Sequence, residues 1–308
     1  MSAGEFASTV AVSRAGGMPG AAALSRLRLV LELGKIRISA LSTLSAATGA
    51  VLYARSAGWG LATLCAGVLA VAMGACALNQ VQDRSYDARM ERTRRRPIPR
   101  GAVRPPAAAA AGVFLVLLGT AVLALAHNVA AASLAAAAVL WYNALYAWLK
   151  RRWALAVIPG ALIGALPPVI GWVSAGGAPW DAGALALALF FFLWQVPHFW
   201  LLALARAADY ERAGLPSPVA LLGVRGLSRL TAVWMLAAFA SSLLLAPYGL
   251  KSAAWSGAAL AALGLWLVPA ALRLCGRQRQ PGVHGRAFRC INIYALCVMA
   301  LLVTGALL

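Results

Sequence analysis

Charge is what this sequence has least of. Its 308 residues carry 27 Lys and Arg, eight Asp and Glu and three His, where a soluble domain of this length, at roughly 25% charged residues, would carry about 77. A water-facing surface cannot be built from so few, and a soluble globular domain is excluded. The five cysteines offer no CxxC and no Cys/His spacing. Cys65, Cys76 and Cys297 fall inside apolar runs, and Cys275 and Cys290 flank the last basic loop, so they read as reduced structural thiols. Residues 1–24, rich in Ala, Gly and Ser, lack the basic start and apolar core of a secretion signal. They read as a disordered tail ahead of a single transmembrane domain over 25–308. No internal repeat stands out.

Apolar length is what the chain has in place of charge. With 62% apolar residues and a mean hydropathy of +0.80, disorder and soluble repeat folds are ruled out. The apolar runs approach the ~20 residues that cross a ~30 Å hydrocarbon layer. Breaks at charge and Pro/Gly clusters give spans near 38–55, 58–79, 106–126, 129–149, 154–174, 181–204, 227–247, 251–272 and 288–308. The expected fold class is therefore all-α, a polytopic membrane protein with nine transmembrane helices. Lys and Arg test the parity, since short cytoplasmic loops retain positive charge. Of the 27, 25 fall on alternate connections, and the opposite side holds only Arg55 and Lys251. This places the N-terminus in the cytoplasm. A net charge of +19 gathered at membrane edges orients a protein in a lipid bilayer; it is not a nucleic-acid footprint.

Acids are scarce enough to be weighed singly. Of four aspartates, Asp181 starts a span on the far side and reads as an N-cap. Asp83, Asp87 and Asp209 sit at the cytoplasmic ends of spans two and six. Asn79, Asp83 and Asp87 lie at i, i+4 and i+8, on one helical face. Two carboxylates so placed repel each other, and the repulsion costs more beside lipid. A cation relieves it, and oxygen-only ligands suit Mg²⁺, with Asn79, Asp83, Asp87 and Asp209 as the metal residues. The alternative is a solvated helix end whose acids pair with neighbouring arginines. Arg92, Arg94, Arg95 and Arg96 follow at once, and guanidinium forks match phosphate oxygens in pairs. Metal-ligating acids beside phosphate-binding arginines at a membrane surface imply a substrate with a diphosphate head and an apolar tail, such as an isoprenyl diphosphate. Lys150 and Arg151 lie on the same membrane face, and Tyr142, Tyr146 and Tyr210 are candidate substrate contacts. His198, in a span with Gln195 and Pro197, is a candidate catalytic residue; the alternative is a histidine bonded within the bundle. His127 and His284 lie at loop edges and read as solvated.

These residues resemble the UbiA-type intramembrane prenyltransferases. The resemblance rests on five ordered strings: Asn79 to Pro97 (NQVQDRSYDARMERTRRRP), Leu149 to Arg152 (LKRR), Gly164 to Trp172 (GALPPVIGW), Trp194 to Trp200 (WQVPHFW) and Asp209 to Pro216 (DYERAGLP). They point to the branch that transfers a farnesyl group from farnesyl diphosphate to a vinyl group of protoheme IX, giving heme O for terminal oxidases. The resemblance implies the nine-helix UbiA-type bundle, catalysis through Asp83, Asp87 and Asp209 with Mg²⁺, and a downstream heme-modifying enzyme as partner; the compact chain without a transit peptide is expected in a bacterial plasma membrane. In that setting His198 would contact heme iron or a propionate, or assist water addition. The chain departs from the branch at Trp153, Ala154 and Ala156, and at Ser217-Pro218-Val219. Position 213 is Ala where an acid is common, and so is position 205. A sister enzyme prenylating an aromatic quinone precursor would share the metal site. A heme or lipid transporter is the non-catalytic rival, but carriers place polar groups near the bilayer midplane, whereas these acids gather at one membrane edge.

Overall fold

All regular structure in the computed structural model, which describes residues 27–250, 252–276 and 282–308, is helical. A short helix, α1 (27–33), turns through Gly34 and Lys35 into α2 (Ile36–Ala54). Then come α3 (Trp59–Arg89), α4 (Pro105–Ala126) and α5 (Val129–Leu140), which runs on through a π turn at Trp141–Tyr146 to Leu149. Next are α6 (Val157–Gly160 with Leu162–Ser174), α7 (Ala182–Ala205) and the short α8 (Ala207–Ala213). Last are α9 (Pro218–Ser242), α10 (Ala253–Leu274) and α11 (Val283–Leu307). Among the described residues nine helical stretches are long and apolar enough to cross a membrane, in the order expected from the sequence. The tail expected over 1–24 lies outside the described residues.

Three boundaries differ from expectation, each where hydropathy and helix propensity part company. The second span was expected to stop at Asn79, yet α3 continues to Arg89. Gln80, Gln82, Ala88 and Arg89 are good helix formers, so polarity there marks the membrane edge and not the helix end. At 31 residues α3 is about 46 Å long, well beyond a ~30 Å hydrocarbon layer. α9 starts at Pro218 and not at 227, because Ser217 Oγ accepts from Val219 N and Pro218 occupies the first turn. Its continuation bends at Gly223, whose φ of 67° suits a residue without a Cβ. The last helix begins at Val283, five residues early, with a polar first turn.

In lipid, helices associate by close contact and hydrogen bonds, since the tails are as apolar as Leu. The most extensive pairing is α3 on α4. There Gly74 meets the Gly112 carbonyl oxygen and Gly119 meets that of Gly67, so a Cβ at either would collide with backbone. Large apolar side chains such as Leu125, Leu117 and Phe114 face outward. Trp59, Trp180 and Trp255 stand exposed at or near the first turns of α3, α7 and α10, an aromatic belt on the edge opposite Asp83.

That far edge corrects one expectation. Asp181 precedes α7 but makes no capping bond to it. Its extended backbone turns the carboxylate back, and Oδ2 accepts from Trp172 Nε1 and Ala178 N, both at 2.8 Å. His127 is likewise bonded where solvation was expected, to Thr63 Oγ1 at 3.0 Å and the Ser174 carbonyl at 3.3 Å. His284 sits 3.0 Å from Ser228 Oγ.

Candidate active site

The overrun of α3 builds one wall of a cavity of about 190 Å³, presenting Asn79, Asp83, Tyr86 and Asp87. Opposite, the π turn of α5 contributes Tyr142 and Tyr146, and Lys150 follows just past the span. A π turn carries more residues per turn than an α turn, so positions four apart fall on nearly one line. The two tyrosine rings accordingly stack, 6.0 Å apart with 11° between planes. Gly160 admits Tyr146, since a Cβ there would sit 2.6 Å from its ring. From α7 and α8 come Phe199, Leu202, Arg206, Asp209 and Tyr210. The turn before α2 supplies Lys35, held at φ 47°.

Each carboxylate is matched with a cation. Asp83 accepts from Lys150 Nζ through Oδ2, with Arg151 at 3.5 Å from Oδ1. Asp87, 4% exposed, holds Arg96 at 2.7 Å. The Thr93 hydroxyl donates to the Asp87 carbonyl at 2.9 Å, which folds the arginine-bearing turn back over the helix end. Asp209, 6% exposed, accepts from Arg212 at 2.6 Å and from Glu91 N at 3.2 Å, tying α8 to the end of α3. Asn79, 3% exposed, takes the amide orientation that pairs both ends. It then donates to Asp83 Oδ2 and Tyr142 Oη and accepts from Lys150 Nζ at 2.9 Å. Lys35 Nζ stands 3.4 Å from the same amide. Burial pushes the Lys35 amine down to about 8 and lowers that of Lys150, which Asp83 partly restores.

The cavity gathers ten of the expected residues: Asn79, Asp83, Asp87, Arg92, Arg96, Tyr142, Tyr146, Lys150, Asp209 and Tyr210. Arg94 and Arg95 are exposed and outside its lining. The tight turn, with Arg94 N on the Met90 carbonyl and Arg96 N on that of Thr93, cannot aim three consecutive side chains the same way. Arg151 is also outside, bonded to the Gln82 carbonyl at 2.8 Å and lying over the Tyr86 ring. His198 is not in the lining, although Phe199 beside it is. Two cationic lining residues escaped the sequence reading as site residues, Lys35 and Arg206. The one available signal was a lysine just ahead of the first span and an arginine three residues before Asp209. Trp153, Ala154, Ala156 and Pro218, where the chain departs from the resembled pattern, all line the cavity.

Donor chemistry fits a hard divalent cation. Asn79, Asp83, Asp87 and Asp209 offer oxygen only, and Asp87 Oδ1 and Asp209 Oδ2 accept no hydrogen bond among the described residues. Mg²⁺ is commonly held by one or two carboxylates, with phosphate and water completing its shell.

The family described as the UbiA prenyltransferase family matches residues 39–306. The chain belongs to that family. A curated relative from Geobacter sulfurreducens, named protoheme IX farnesyltransferase, is 43% identical over 276 residues, 88% of this chain and 97% of its own. Two solved structures share the UbiA fold at low identity. One, from work on digeranylgeranylglyceryl phosphate synthase in membranes, has a TM-score of 0.74 at 16% identity, covering 92% of this chain and 99% of its own. The other, a UbiA homolog from Archaeoglobus fulgidus bound to GPP and Mg²⁺, has a TM-score of 0.58 at 15% identity, covering 91% and 99%. The family match and the nine apolar helices make this a multi-pass membrane prenyltransferase.

Proposed function

We propose that this enzyme transfers a farnesyl group from farnesyl diphosphate to a vinyl group of protoheme IX, producing heme O. The observation that carries the reading is one cavity lined by carboxylates from α3 and α8 together with cationic and aromatic side chains. The name of the Geobacter relative supports the choice of donor and acceptor. Residues 25–308 act as one domain in a bacterial plasma membrane with the N-terminus in the cytoplasm, and a heme-modifying enzyme takes up the product.

Asn79, Asp83 and Asp87 of α3 with Asp209 of α8 would hold Mg²⁺, a reading that the Mg²⁺ bound with GPP in the Archaeoglobus homolog supports. When bound, the ion supplies positive charge to the diphosphate oxygens. Lys35, Lys150, Arg92, Arg96 and Arg206 orient the diphosphate and stabilise the charge it acquires as the allylic C–O bond breaks and the electron pair leaves with it. The cavity's apolar lining keeps water from the allylic cation, and the stacked Tyr142 and Tyr146 rings present π density to it. The vinyl terminus then bonds to the allylic carbon. Water adds hydroxide to the vinyl carbon nearer the macrocycle, and its second proton is released.

Incubating membranes that contain the protein with farnesyl diphosphate and either heme or 4-hydroxybenzoate tests the reading. Farnesylated, hydroxylated heme is expected. Product from the benzoate alone overturns the assignment.

A further inference from the structure

α3 carries a second set of contacts on the face adjoining its carboxylates. Met73, Ala77 and Gln80 fall at i, i+4 and i+7, one stripe of the helix, and all three meet the end of α1 or the turn after it. Leu33 shares a buried cluster with Ala77. Gly34 lies so close to Met73 that a Cβ on it would stand 2.6 Å from the methionine Cε. Gln80 is 0% exposed and outside the cavity lining. Its Nε2 donates to the Glu32 carbonyl at 2.9 Å and to the Leu33 carbonyl at 2.8 Å. These belong to the last turn of α1, whose carbonyls a helix leaves without a partner of its own. From the other side the Ser39 hydroxyl donates to the Gly34 carbonyl at 2.7 Å.

The turn so held is the one that presents Lys35 to the cavity. Its φ of 47° and ψ of 55° are left-handed, a conformation that is unfavourable for a residue with a Cβ and persists only where the surroundings dictate it. A turn free to leave that conformation re-aims the side chain. The Gln80 amide is itself costly, because Oε1 is sealed with no partner among the described residues. A Met would fill the same space without that orphaned acceptor, so what the amide adds is its pair of N–H donors. We propose that Gln80 is a positioning residue for the diphosphate. By capping α1 it fixes the Lys35 turn to the same helix that bears Asn79, Asp83 and Asp87, and amine and carboxylates meet one diphosphate at a set spacing. This rests on the reading above that Lys35 orients the diphosphate, and is independent of which acceptor is used.

The test is binding of farnesyl S-thiolodiphosphate, a donor analogue that resists ionisation, to the full-length protein in lipid nanodiscs with Mg²⁺. Lys35→Met is expected to weaken binding on the order of thirtyfold and Gln80→Met on the order of tenfold. The Mg²⁺ concentration for half-maximal binding stays unchanged in Gln80→Met, which a disturbed α3 would not permit. A double-mutant cycle separates positioning from general damage. In a Lys35→Met background Gln80→Met should add less than about twofold, whereas in an Asp83→Asn background it should cost its full tenfold or so. Gln80→Glu, equal in volume with one donor at most, should show the same pattern and stands in if Gln80→Met does not insert. Wild-type affinity in Gln80→Met, in a protein that Lys35→Met weakens, overturns the proposal, and so does a loss that persists in full without Lys35. Wild-type affinity in Lys35→Met removes Lys35 from the diphosphate site and this inference with it. A protein that shows the coupling yet farnesylates no heme loses the acceptor reading alone.

Discussion

Aspartate serves two different purposes at the two edges of this bundle. At the far edge Asp181 points away from its helix, and one oxygen joins the Trp172 indole to the Ala178 amide. Neither neighbour carries charge, and the carboxylate is outside the cavity lining. At the near edge Asp83, Asp87 and Asp209 each face a Lys or Arg and share one cavity. A carboxylate drawn from water costs free energy unless it is paired, and half-buried Asp181 shares that need with the near-edge acids. The far edge solves it with neutral donors, which fix a loop. The near edge solves it with Lys and Arg, whose charge matches a phosphate as well as a carboxylate once a metal ion takes the carboxylates over. The comparison teaches that the kind of partner, more than burial, separates a structural aspartate from a reactive one.

The comparison breaks if the two sets respond alike to substitution. Asp83→Ala should lower turnover by on the order of 10³-fold, about 4 kcal/mol of transition-state stabilisation, with the protein still inserted and folded. Unchanged turnover in membranes would remove the metal assignment. Asp209→Asn keeps the bonds from Glu91 N and Arg212 geometrically feasible while removing a charge. It should cost on the order of 10²-fold, with a rise in the Mg²⁺ concentration needed for half-maximal rate. Asp181→Ala should do the opposite. Turnover stays within about twofold, while the orphaned Trp172 indole and Ala178 amide cost about 1–3 kcal/mol of stability, read as a lower unfolding temperature. Should Asp181→Ala abolish activity in a folded protein, the distinction between the edges falls.

How much of this was legible in the sequence follows the physics of each signal. Span number and order came from apolar length and from the placement of Lys and Arg, which the bilayer enforces residue by residue. The overrun of α3 was not legible from hydropathy, since lipid ceases to constrain a helix once it emerges. The i, i+4, i+8 face of Asn79, Asp83 and Asp87 was legible because helical periodicity continues regardless of solvent. The return of Arg96, and not Arg94 or Arg95, to Asp87 was not, because a turn of consecutive arginines carries no period that tells them apart. His198 stood out as an ionisable group in a span, but its Asn292 partner lies 94 residues away on the last helix, and only the fold brings them together.

Lys35 offers the finest division between the edges, because it is a near-edge cation in the cavity lining with no ion pair among the described residues. Its amine, pushed down to about 8 by burial, is charged below that pH and neutral above it. Diphosphate binding favours the charged form, so affinity is full below pH 8 and falls as pH rises through it. KM for farnesyl diphosphate should therefore stay nearly level from pH 6.5 to 7.5 and rise about fivefold between pH 8 and 9, with kcat less affected. Lys35→Arg keeps its charge throughout this range and should flatten the rise; Lys35→Met should show a high KM at every pH with no limb. If the limb persists in Lys35→Arg, it belongs to another group. Lys150 is then the next to substitute, since burial lowers its amine too and Asp83 opposes the shift.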